Sequence, residues 1–255
     1  MESAIVTEIT AATTCGGSIE ISTQLSQLLV TQTSTTNFRT RLEECFRRIK
    51  NLNYFSEFTT FTDFLNQVKV LKDSDKVVNS GVYIAHGQCD IKVCGNATII
   101  ALDRVNIIAT KMSIIFAFDK ARITSFENTQ TICFDNSVFL AYENCQVKAY
   151  DHSKGKAIGF VNVKANDASI VDAFDRCLVT AKDNSTVRAY KAVRLEAHNH
   201  ANIYLFDDAL GFIYGQATAH LGGNSMICRS NNEGNIGRQN HNSVFILYPL
   251  SFDVN

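Results

Sequence analysis

Between Gly81 and Asn232 small and aliphatic residues recur with a period of eight, which neither a helix nor an ordinary strand has. Octads counted from Gly81 run without insertion or deletion, as in CQVKAYDH from Cys145, SIVDAFDR from Ser169, CLVTAKDN from Cys177 and STVRAYKA from Ser185. Position five is alanine in 12 of the first 15 octads, the exceptions being Val93, Ser125 and Cys133. Position three is mostly β-branched or aliphatic (Ile99, Ile115, Val147, Val171, Val187), and position one is small or valine (Ala97, Ser137, Cys145, Ser185). Positions one, three and five thus alternate with polar neighbours, the period of a half-buried strand. Position seven is usually Asp, Glu, Gly or Asn, and Gly, Asn and Asp tolerate tight turns and positive φ. Each octad therefore reads as a short strand and a corner, with the alanine as the last inward residue before two sheets come close.

A unit this short cannot bury its face alone, so the octads must stack. The expected fold is mainly β: a parallel β-solenoid (β-helix) of about 19 octapeptide repeats. Two octads per coil would give a flat coil and three a triangular one. Facing small–large–small rows make a thin core, which matches the flat coil. With strands ~4.8 Å apart such a stack is on the order of 45 Å long.

The octads resemble the VxAxD/G octapeptide solenoid repeats of bacterial and phage proteins. That resemblance covers Gly81 to Asn232. It implies architecture and is nearly silent about activity.

The flanks divide the chain into a mostly helical N-terminal cap (1–78), the solenoid (79–232) and a C-terminal loop with a capping strand (233–255). Residues 1–34 are rich in Thr and Ser and fit strands, a helix or an arm equally. In TNFRTRLEECFRRIKNL, residues Phe38, Leu42, Cys45, Phe46, Ile49 and Leu52 share a helical face. Phe61, Phe64, Leu65, Val68 and Leu71 do so in a second stretch, with Thr60 or Thr62 as N-cap. The C-terminal SVFILYPLSFDVN could seal the far end, because open solenoid ends expose strand edges. Position four is apolar in the early octads (Ile84, Ile100, Ile108, Phe116, Ile132, Leu140), charged in the middle and aromatic late (Tyr204, Phe212). The early apolar row needs a cover. The helical pair folded back is the first reading; a self-association or partner surface is the second.

Charge narrows the function classes. With 24 basic and 25 acidic residues the chain lacks the overall bias of a bulk nucleic-acid binder, so such a role would need a local patch. No apolar run is long enough to span a membrane, and no secretory signal is visible, so a cytoplasmic location with reduced thiols is expected for the eight cysteines. Cys89, Cys133, Cys145 and Cys177 read as small core residues.

Candidate chemistry is sparse. Parallel β-helix enzymes build sites from long irregular turns, and these octads have none, so neither catalysis nor a cofactor is expected. The position-seven acids (Asp119, Glu127, Asp135, Glu143, Asp151, Asp167, Asp175, Asp183) could form carboxylate ladders, although turn chemistry explains them first. His198 and His200, with His152 and His220 by register, fall short of a metal site, so no metal is expected. Arg39, Arg41, Arg47, Arg48 and Lys50 are diluted by Glu43 and Glu44, as on a solvated helix surface.

The partner-binding candidates are Lys148, Lys154, Lys156, Lys164, Arg188 and Arg194, interleaved with Tyr142, Tyr150, Tyr190, Tyr204 and Phe212. Cations among aromatics could stack and hold single-stranded nucleic acid. Corner packing beside a solvated face is the alternative. The reading that results is a non-catalytic rigid recognition scaffold for a protein or ribonucleoprotein partner. A phage or mobile-element inhibitor of a bacterial host machine, for example a defence complex, is a concrete instance by analogy of fold. Direct RNA contact and a homodimer stay open; a membrane partner is not expected. The alternatives are a self-assembling, bactofilin-like structural solenoid and, less favoured, a carbohydrate-active β-helix enzyme.

Overall fold

A computed structural model describes residues 35–71, 77–230, 234–239 and 242–248. The expectations for 1–34, and for the tail after Tyr248, lie outside the described residues. Two parallel sheets of 12 and 11 strands face each other, and successive strands alternate between them. From Val82–Ala85 to Met226–Ser230 each strand pairs with the next but one, 16 residues on. Val147 lies beside Thr131 and Val163, and Val171 beside Gly155 and Val187. A coil therefore holds two octads, and the fold is a parallel β-solenoid of about 10 turns. The sheet containing Gln146–Ala149 is called wall A here, and the sheet containing Lys154–Gly159 wall B.

The octad positions fall where the period places them. Ala149, Ala165, Ala181 and Ala197 are fully buried, as are Val163, Val171, Val187 and the position-one serines from Ser137 to Ser185. The side chains of Ser153, Ser169 and Ser185 have no hydrogen-bond partner among the described residues. Position seven is left-handed from Gly87 through Gly223, with φ 56° at Asp119 and 57° at Asp183. Even Lys111 and Lys191 adopt this conformation, at φ 63° and 59°. Left-handed backbone costs a non-glycine residue roughly 1–2 kcal/mol. Regular inter-coil backbone bonds, such as Lys120 N–H to Asp103 O at 2.9 Å, offset it. At Gly95, φ is +82° and a Cβ would lie 2.3 Å from the Asn79 carbonyl oxygen, so this corner takes only glycine.

The early apolar row splits because alternate octads face opposite ways. On wall A, Ile84, Ile100, Phe116 and Ile132 lie under helix α1 (Thr35–Asn51) and helix α2 (Phe61–Gln67). Phe38, Leu42, Phe46, Ile49 and Phe64 pack onto that row, all at most 6% exposed. The helical pair is thus the cover on this wall. On wall B, Ile108 remains 45% exposed and Leu140 is half-buried. Thr60 is the N-cap of α2, in a capping box with Asp63.

The second helical stretch ends earlier than its apolar spacing suggests. Val68 is already extended, and Lys69–Val70 joins the edge of wall A beside Tyr83 and Ile84. Strand pairing and burial of Val68 and Leu71 override the helical period there. Val77–Val78 adds a short strand to wall B in the same way. At the other end, Asn235–Arg238 and Val244–Tyr248 extend walls B and A beyond the regular octads.

Candidate functional site

The position-seven carboxylates on the wall A-to-B corner form one ladder. Each accepts a hydrogen bond from the backbone N–H one coil earlier: Gly87 to Asp103, Asp103 to Asp119, Asp119 to Asp135, Asp135 to Asp151 and Asp151 to Asp167, at 2.9–3.1 Å. Helix α1 grips this ladder. Arg41 donates to Asp103 and Asp119, both at 2.8 Å, and Arg48 to Asp135 at 2.9 Å and to Asp151. Seven residues of helix rise ~10.5 Å, and two rungs span ~9.6 Å. Arginines seven apart on a helix lying along the solenoid therefore meet aspartates two coils apart.

The Arg48 guanidinium also sits over the Phe134 ring, 4.3 Å from its centroid. Burial alone would raise the Asp103 carboxyl; hydrogen bonds from Arg41 and the Gly87 N–H, with the Arg41 charge, hold it below the usual carboxylate range instead. Of the other helix cations, Arg47 pairs with Glu44, and Lys50 donates to the carbonyls of Phe58 and Thr59. The sequence reading of a solvated cluster misses the Arg41–Arg48 grip. Its signal was the match between a seven-residue arginine spacing and aspartates recurring every sixteen residues, two coils of which span the same length.

The basic and aromatic candidates do not form one stripe. Lys148, Lys164, Arg194 and Phe212 lie on wall A; Lys154, Lys156, Arg188 and Tyr204 lie on wall B. Tyr150 is at the A-to-B corner; at the other corner Tyr142 ends a wall B strand and Tyr190 follows one. Lys148 is partly covered by the cap, 4.9 Å from the Tyr54 ring centroid and 3.3 Å from its hydroxyl. Arg188 pairs with Asp172 at 3.0 Å.

The corner aromatics stack along the axis at rung spacing. Tyr190 lies between Phe174 and Phe206, at 4.8 and 4.9 Å, so both its faces are occupied. Tyr142 stacks on Phe126 at 5.0 Å and Tyr150 on Phe134 at 5.3 Å; on wall B itself Tyr204 stacks on His220 at 4.6 Å. Burial raises the Tyr150 hydroxyl, with the Tyr54 and Asp167 side chains adding to it.

His152, His198 and His200 lie at the A-to-B corner, His152 three coils from the other two. His198 stacks on Tyr214 at 4.8 Å, while His220 stands on wall B. Among the described residues no three His, Cys, Asp or Glu side chains converge as metal ligands. A shallow depression of about 510 Å³ is lined by Asp183, Asn184, Asn199, His200, Gly215 and Gln216. Another, of about 500 Å³, lies on the outer side of the cap beside Glu43, Arg47 and Phe61. The seven described cysteines are free thiols. Burial pushes Cys133 up to about 12 and Cys145 up to about 11.

These features define the class: a parallel β-solenoid of 16-residue coils with a helical N-terminal region docked on one wall. A scan against protein-family models and searches of curated proteins and of solved structures found no match.

Proposed function

We propose that the chain is a non-catalytic, rigid recognition scaffold that holds a protein or ribonucleoprotein partner against its outer walls. One observation carries the reading: unbroken octads stack into two walls, whose outward residues change from apolar to charged to aromatic along the axis while the inward ones stay mostly small or aliphatic. Such a surface is pre-ordered, so binding costs little conformational entropy. An inhibitor from a phage or mobile element acting on a host machine is a role that suits such a body.

Base stacking is the weaker part of the ribonucleoprotein reading. A base needs a free ring face, and Tyr190 has none. Protein contact is therefore favoured over direct RNA contact.

Affinity capture on the full chain, from cells of the species that carries the gene, tests the proposal. A defined partner retained after RNase treatment, and lost when wall lysines become glutamate, is the expected result. Capture of nothing beyond the chain itself, with filaments visible by light scattering at rising concentration, would replace it with the structural-assembly reading.

A further inference from the structure

We infer that the early coils of wall B form a docking site for an acidic amphipathic helix of a protein partner. The inference rests on the scaffold reading and names the wall and the partner chemistry. Two outward columns build the site. In one, Val138 lies between Arg122 and Lys154 on neighbouring rungs. In the other, Ile108 follows Lys92, and Leu140 precedes Lys156 with Thr124 between them. Val138 is 41% exposed and Ile108 45%. Among the described residues none of the four cations forms an ion pair. The carboxylate in this patch, Asp90, accepts from the Asn106 amide at 2.7 Å, and the next one along, Asp172, is held by Arg188.

Wall A shows how such a surface is filled. There α1 lies along the coils, covers the apolar column with Leu42, Phe46 and Ile49, and reaches sideways to opposite charges. Wall B presents the same rung spacing with cations on the wall itself: beside the Ile108 and Leu140 column, Arg122 and Lys154 stand in the neighbouring outward column, with Glu127 and Glu143 at the corner on the far side. Ile108 and Leu140 are two rungs apart, ~9.6 Å, which matches helix residues seven apart at ~10.5 Å. An occupant with aliphatic anchors at that spacing and Glu or Asp beside them satisfies both features.

Two other occupants fit less well. A second copy packed face to face would set Arg122, Lys154 and Lys156 against like charges. Single-stranded nucleic acid would find aliphatic side chains in the centre of the patch where stacking needs rings.

Fluorescence anisotropy with the full chain decides it. The probes are a labelled 21-residue helical peptide with Leu along one face and Glu beside it, the same peptide with Lys for Glu, and a 20-nucleotide oligouridine. The acidic peptide should saturate, with the lysine peptide at least tenfold weaker. The variant K92E/R122E/K154E/K156E, checked by circular dichroism, should reverse that preference. The single variants R122E and K156E should each weaken acidic-peptide binding about threefold, which keeps the question answerable if the quadruple variant misfolds. No saturable binding, indifference to the reversals, tighter oligouridine binding, or dimerisation through this face would each overturn the inference. A captured partner that tolerates the wall B variant but is lost with K148E/K164E/R194E would overturn it too, while leaving the scaffold reading intact.

Discussion

Replacing Arg48 with alanine should loosen the helical cap more than replacing Arg41. Each guanidinium bridges two aspartates of the corner ladder, but their surroundings differ. Arg48 has 25% of its side chain exposed and lies 4.3 Å from the Phe134 ring centroid; Arg41 is 38% exposed. Solvent-exposed ion pairs contribute about 0.2–1 kcal/mol each, and a cation over a ring adds roughly 0.5–1 kcal/mol. Arg41 should therefore contribute about 1 kcal/mol and Arg48 about 2 kcal/mol. At 1.4 kcal/mol per tenfold, local opening of α1 should rise roughly fivefold in Arg41→Ala and roughly 30-fold in Arg48→Ala. Amide hydrogen exchange read by mass spectrometry over residues 38–51 measures this directly. Strands beyond the cap, such as Leu178–Ala181, should exchange unchanged. Equal effects of the two variants, or faster exchange spread evenly through the coils, would refute the argument that the arginines act as a local grip.

Acid should release the same grip. The Asp103 carboxyl is held below its unfolded value, so its stabilising contribution is complete above about pH 4 and falls away as pH drops through the lower folded value. Protection of the α1 amides, taken relative to the intrinsic exchange rate at each pH, should fall below about pH 4 before that of the coils; a cap that opens instead between pH 6 and 8 would contradict this. Deleting residues 161–176, one whole coil, should leave a cooperatively folded solenoid, whereas deleting 161–172 should not, because corners would then meet strands. Circular dichroism melts compare them, and equal melts would count against the 16-residue coil. Cys133 and Cys145, whose thiols burial pushes up to about 12 and about 11, should stay unmodified by a thiol reagent at pH 8 until the protein unfolds. Rapid native labelling of either would show that the core is open.

The solenoid was legible because its physics is local. A pleat alternates every two residues, a corner needs a left-handed residue, and both leave marks at fixed octad positions, as at Val163, Ala165 and Asp167. The helical cover was legible for the same reason, since Phe38, Leu42, Phe46 and Ile49 repeat at helical spacing. Hidden from the octad was the coil's parity. Lys148 and Lys156 hold the same octad position yet stand on opposite walls, so a stripe along the sequence becomes two patches in space. The end of α2 was hidden too, because Val68 and Leu71 satisfy a helical period while strand pairing at Lys69–Val70 decides the backbone. Pairings such as Arg48 with Asp135 join residues 87 apart and depend on how a helix lies on a sheet, which neither segment specifies alone.

The central claim is that the outer walls of an ordered solenoid do the recognition. Lysine-reactive footprinting of the full chain, alone and with its captured partner, tests it most directly. The account predicts that Lys92, Lys154 and Lys156 become protected on binding, while amide exchange in the coils stays as slow as in the free chain. Lysines equally reactive in both states, or coils that exchange faster in the complex, would contradict it.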